Sequence, residues 1–215
     1  MSALTEGRHT GEFLISEANG ERSRENVVAL SGQTFKAGQV LGKIAVATAS
    51  AAAFAGNTGN GVMGAITVSQ GAMAGVYKLL VIEPGANVGT FEVEGPNGVI
   101  IGRGVVATAF SAGGLAFTLA DGATDFVAGD GFNITVAAGS GKYRVIDFTS
   151  AVGADIPAGI SWDNVDASVA DKVCAIIARS AEVQSVELEW PAGATTNQKA
   201  VALAQLAASN MIYGR

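Results

Sequence analysis

Side-chain chemistry needs a nucleophile, a base or a set of metal ligands within reach of one another, and this chain has few of them. His9 is the only histidine, and it lies in the N-terminal segment. That speaks against a Ser-His-Asp triad and against a histidine-rich zinc site. The stretch "GNGVMG", Gly59 to Gly64, has the G-x-G-x-x-G spacing of a dinucleotide loop. Such a loop works only between a strand and a helix N-terminus; here a linker precedes it and an apparent strand follows. "AAGSGKY", ending at Tyr143, departs from a phosphate loop at both ends: Val136 stands where its first glycine belongs and Tyr143 where its Ser or Thr belongs. Asp121, Asp125 and Asp130 are loop carboxylates of the kind calcium takes, or simply the residues that make Asp-Gly turns. The single cysteine, Cys174, rules out an intrachain disulfide. It sits in "KVCAIIA", which reads as a buried strand where a thiol acts as a small apolar group. Trp162 and Trp190 read as packing anchors rather than stacking platforms. No general acid, base and nucleophile stand together, so the chain reads as a protein that binds and holds: not an enzyme, with no cofactor and no metal.

The elements that must position any binding surface are mostly strands. Residues 57–142 alternate apolar and polar side chains, as at Phe91 and Val93, at Leu115, Phe117 and Leu119, and at Phe132, Ile134 and Val136. That is the period-2 pattern of half-buried strands. Turn sequences such as "PGANVG", "GPNG" and "AGDG" separate them, and a β-sandwich is expected. Gly-rich "AGNTGNG" and "AAGSGKY" flank this stretch like linkers. The flanks, residues 23–56 and 143–215, form a second, discontinuous unit of strands with one helix. Thr195 with Gln198 three residues on resembles a capping box, and Lys199, Leu203, Leu206 and Asn210 follow helical spacing, with Asn210 as the expected C-cap. Pro191 forces Trp190 into an extended conformation. The fold class is therefore mainly β (α+β): an α/β core domain interrupted by an inserted β domain.

Composition narrows the partners. Of 215 residues, 49% are hydrophobic and only 15% charged, and the net charge of −6 argues against nucleic acid, which needs a basic surface. No apolar run is long enough to span a bilayer, and no secretory h-region is evident, so a protein made in a cytoplasm, without a membrane partner, is expected.

One segment has no obvious neighbour. Phe13-Leu14-Ile15 is an apolar, strand-favouring run followed by a turn signal, Asn19-Gly20, and the charged run Glu21 to Glu25. Asn19-Gly20 turns it into an internal hairpin, or the run pairs with an edge outside this chain; the poorly alternating charged run weakens the hairpin.

The flanks resemble the lambda-like phage head decoration, or cementing, proteins. The segments that carry the resemblance are "TGEFLISEANGERSRENVVAL", "SGQTFKAGQVLGKI", "IPAGISWDNVDAS" and "VELEWPAGATTNQKAVALAQLAASNMI". The Leu188-x-Trp190-Pro191 step before the helix is the most specific, and these three residues are expected packing anchors. The inserted stretch is similar to the Ig-like domains of longer members. The resemblance implies a homotrimer on the outer surface of the expanded head, clamping neighbouring major capsid protein subunits. It implies that residues 1–22 form a capsid-binding arm, mobile when free, in which Phe13, Leu14, Ile15 and Ser16 add a strand to a capsid sheet edge. As such an arm, residues 1–18 would contribute little to thermal stability. The alternative is a surface adhesion module whose Ig-like insert contacts a host glycan or receptor.

Overall fold

Val40 and Leu41, like Ile176 and Ile177, are sequence neighbours on opposite faces of their strands, and all four are fully buried. Both faces are covered because these strands belong to a barrel that has one core inside and another outside. In the computed structural model, which describes residues 7–215, the barrel closes in the order Tyr143–Val145, Arg24–Ala29, Lys172–Ile177, Pro157–Ser161, Val40–Lys43. Its interior holds Val27, Leu41, Tyr143, Cys174 and Ile176. Cys174 is thus an interior packing residue, and burial pushes its thiol up.

The outer core is roofed by the C-terminal helix and a three-stranded sheet. Thr195 and Gln198 make a reciprocal capping box at the start of the Thr196–Gln205 helix. Ala202, Leu203 and Leu206 carry its apolar face onto Val40, Ile160 and Ile177. The last turn widens to a π-type turn, Leu206–Asn210, and Met211, at φ 55°, ends it. Asn210 does not cap; its side chain donates to the Ala178 carbonyl at 2.9 Å. The chain then returns as a strand, Ile212–Gly214, parallel to Ala181–Val183.

The third strand of that sheet is Leu14–Glu17, antiparallel to Ala181–Val183. This corrects two expectations about the N-terminal run. It pairs neither with the charged run after Asn19-Gly20, which passes through a 3-10 turn at Gly20–Ser23 into the barrel strand Arg24–Ala29, nor only with an edge outside the chain. Phe13 is 1% exposed in the outer core, so from Phe13 onward the segment is part of the folded unit rather than a mobile arm. Residues 1–6 of the expected arm lie outside the described residues.

A second compact unit comprises Ala45–Ser140 with Ala151–Gly153. One of its sheets runs Val46–Ala53, Gly131–Ala138, Gly75–Gly85, Val88–Glu94, Ile100–Val105; the other runs Ala109–Ala112, Leu115–Thr118, Thr67–Val68. The inward residues of both meet in one core, where Phe91, Phe110 and Phe117 cluster with ring centroids 4.9–6.1 Å apart. The unit begins at Ala45 rather than at residue 57, because Val46–Ala53 pairs with Gly131–Ala138 from Ala53↔Phe132 to Val46↔Ala138. Among the described residues no helix is long and apolar enough to cross a membrane.

Candidate interaction surface

The Gly59–Gly64 stretch and the carboxylates Asp125 and Asp130 are taken up by packing and turns. Cβ atoms added at Gly59 and Gly61 would lie 2.6 and 2.5 Å from the Phe126 ring, so these glycines let backbone meet an aromatic side chain. Asp130 is buried and accepts from the amides of Thr58, Gly59 and Val127 at 2.9, 2.8 and 3.0 Å. Asp125 accepts from the Asn87 amide at 2.9 Å. No group of three or more His, Cys, Asp or Glu side chains fit to hold a metal occurs among the described residues.

What the fold does assemble is the Leu14–Glu17 sheet. Its inner face is Leu14, Val183 and Gly214 in register, with Ala181 and Ile212 beside them, over the outer core. Its outer face is the row Ser16, Glu182, Tyr213. The Ser16 hydroxyl donates to Glu182 Oε2 at 3.0 Å, and Arg215 pairs with the same carboxylate. Those two partners, Arg215 first, hold the Glu182 carboxyl below its ordinary range. Ile15 is the extra residue of a β-bulge between Leu14 and Ser16, and the bulge turns it outward, 48% exposed. Leu14–Glu17 is an edge strand: one side is bonded to Ala181–Val183 and no described strand pairs with the other.

The support behind this edge is rigid. Arg24 grips Glu17 with two hydrogen bonds, at 3.0 and 2.6 Å, and lies 3.7 Å over the Trp162 ring. Ser23 is fully buried; its hydroxyl accepts from Ala18 N and donates to Ser180 O. Phe13 meets Trp162 edge-on at 6.5 Å, and its carbonyl accepts from Gln184 N. Leu188 is buried in the same core, and Trp190, partly buried, stacks on Phe148 at 6.5 Å. Pro191 lines a separate surface cleft with Arg144 and Gln198. Phe13 and Leu188, far apart in the chain, therefore share one core.

Upstream of Phe13, the Arg8 guanidinium spans two carboxylates, Glu187 Oε2 at 2.8 Å and Glu189 Oε1 at 2.7 Å. Arg8, Glu17, Arg24, Glu182, Glu187 and Glu189 carried no local signal in the sequence, since each partner lies across a turn or far along the chain.

The sequence of residues 3–211 matches the profile of the family described as bacteriophage lambda head decoration protein D. The chain belongs to that family. A head decoration protein is a structural component of the phage head. No curated protein sequence matches the chain. Among solved structures it is similar to FlgL of Xanthomonas campestris, at 18% identity and a TM-score of 0.34, over 51% of this chain and 34% of that one. It is also similar to the flagellar hook junction protein FlgK from Burkholderia pseudomallei, at 20% identity and a TM-score of 0.34, over 58% of this chain and 21% of that one. The decoration-family chain thus spans about a third of the first and about a fifth of the second. Likenesses this partial carry no argument here.

Proposed function

We propose that this protein binds the outside of the expanded phage head as a homotrimer and stabilises the shell by clamping adjacent major capsid protein subunits. The observation that carries the site assignment is the edge strand Leu14–Glu17, whose free edge no described strand pairs with. A capsid segment adding there would form main-chain hydrogen bonds worth about 0.5–1.5 kcal/mol each. Ordering that segment costs about 1–2 kcal/mol per residue. One site is close to break-even even though this chain's strand is already ordered, so three sites on a trimer act together. Ile15, turned out by the bulge, and Ser16 give the register; Phe13 and Leu14 hold the edge in place from beneath.

Purified protein mixed with undecorated expanded shells is expected to bind them and raise their resistance to heat and low ionic strength. Ile15→Glu is expected to fold normally, since the residue lies on the surface, and to bind shells far more weakly. Correctly folded protein that leaves shells bare would refute the function; undiminished binding by Ile15→Glu would refute the site. The adhesion reading gains no support from the second unit, because Tyr77, Phe91, Phe110, Phe117, Phe126 and Phe132 are all buried and none is presented to a sugar.

The second unit is proposed to be dispensable for shell binding. Where the chain leaves the first unit and returns, Ile44 N donates to Lys142 O and Gly141 N to Ile44 O, both at 3.0 Å. The two ends are already in contact, so a short Gly-Ser turn can replace residues 45–140. Shell occupancy by the shortened protein, measured by gel densitometry, is expected to match the full chain. Lost occupancy in a folded shortened protein would make the second unit part of the clamp.

A further inference from the structure

Glu187 and Glu189 flank buried Leu188, and their backbone makes several bonds besides the one to Arg8. Glu187 N donates to Gln184 O, Glu189 N to Gly38 O, and Glu189 O accepts from Val40 N and from Gln39 Nε2. Into this fixed frame Arg8 places its guanidinium, bonding Glu187 Oε2, Glu189 Oε1 and the Glu187 carbonyl. Lys36 Nζ is also near Glu189, but at 3.9 Å. The acceptors are met from two nitrogens of one planar group, Nε toward Glu189 and Nη1 toward Glu187, a spread that the single nitrogen of an ammonium does not reproduce.

The contacts of the N-terminal segment change character along its length. At residues 8–10 they are polar: the Arg8 pairs, Asn164 Nδ2 to Arg8 O at 3.1 Å, and Thr10 Oγ1 to Asp163 at 2.7 Å. Gly11, at φ +72°, passes close to the Trp162 ring; Gly11 and Glu12 are tied by backbone bonds to Trp162 O and His9 O, and burial begins at Phe13. The ionic part is about a quarter to a third exposed, where salt and competing ions reach it.

We infer that Glu187 and Glu189 form a guanidinium-receiving site, occupied by this chain's own Arg8, and that Arg8 is a releasable latch on residues 7–12. Displacing it frees those residues while Phe13 and the Leu14–Glu17 strand stay docked. This is a property of the free protein and stands apart from capsid binding.

Amide hydrogen exchange on the full chain tests it. Gly11 N, which donates to Trp162 O, and Glu12 N, which donates to His9 O, are the reporters; Val183 is the control. Arg8→Gln is expected to speed exchange at Gly11 and Glu12 about tenfold while Val183 and the melting temperature hold. Arg8→Lys is expected to fall between. Arginine hydrochloride is expected to speed wild-type exchange at these amides more than sodium chloride at matched ionic strength. Unchanged exchange in Arg8→Gln would overturn the latch, and a melting temperature that falls with it would make Arg8 a structural brace instead. Arg8→Lys behaving as wild type, or equal effects of the two salts, would overturn the guanidinium site.

Discussion

Phe13→Ala is expected to destabilise the first unit by about 3–5 kcal/mol, the usual range for emptying a fully buried phenylalanine site. The side chain is 1% exposed, shares its core with Val40, Val183, Leu188 and Leu206, and meets Trp162 edge-on. Barrel strands, helix and terminal strand all contribute to its surroundings, so the cavity cannot be filled by one neighbour moving. For a unit of this size the loss corresponds to a fall in melting temperature of more than about 10 °C. Ile15→Ala, two residues along and on the outer face, should change stability by no more than about 0.5 kcal/mol. Thermal unfolding of the two variants, followed by circular dichroism, makes the comparison. If Phe13→Ala melts with the wild type, the N-terminal run is an arm after all.

Asp130→Asn is expected to destabilise the second unit by about 2–4 kcal/mol. The carboxylate accepts from three amides, two of them on Oδ2. An amide side chain keeps one acceptor oxygen and turns an NH2 group toward backbone donors. Burial acts to raise the pKa of Asp130, but the amides of Val127, Gly59 and Thr58 together outweigh it and leave it below the ordinary value. A depressed carboxylate pKa contributes stability that is present above the unfolded value, about 3.9, and is lost as pH falls through the lower folded value. Wild-type stability should therefore drop below about pH 4, and Asp130→Asn should flatten that part of the curve. Exchange protection at Val81, whose amide donates to Asp130 O, reports on this unit alone. Equal protection in variant and wild type at neutral pH would show that the three amides find other acceptors.

Much of this architecture was legible because its signals are local. Thr195 and Gln198 are three residues apart and announced the helix start. The alternation of Phe132, Ile134 and Val136 announced a strand with one buried face. The N-terminal run was also recognisable as a strand, but its partner, Ala181–Val183, was not, because periodicity tells which face of a strand is apolar and nothing about which strand lies beside it. The start of the second unit was missed for a related reason. Val46–Ala53 is nearly all small residues, "VATASAAA", which alternate too weakly to separate one unit from the next. The Arg8 clamp joins residues about 180 positions apart, and no spacing rule reaches that far. At Asn210 a residue type favoured at helix ends does not cap: the left-handed position falls on Met211, and the Asn210 amide ties the helix to Ala178.

The contact between Ile44 and Lys142 also bears on how a chain of this kind can change length. Seen from the barrel, everything between those two hydrogen-bonded residues is one closed excursion, and the entropy of closing an excursion grows only with the logarithm of its length. Doubling it costs about 0.6 kcal/mol, less than a single well-placed methyl group is worth in the barrel interior. On the proposed dispensability of the second unit, loss of residues 45–140 leaves the pairing of the barrel strands Val40–Lys43 and Tyr143–Val145 in place, and only Ala151–Gly153 of that unit remains behind.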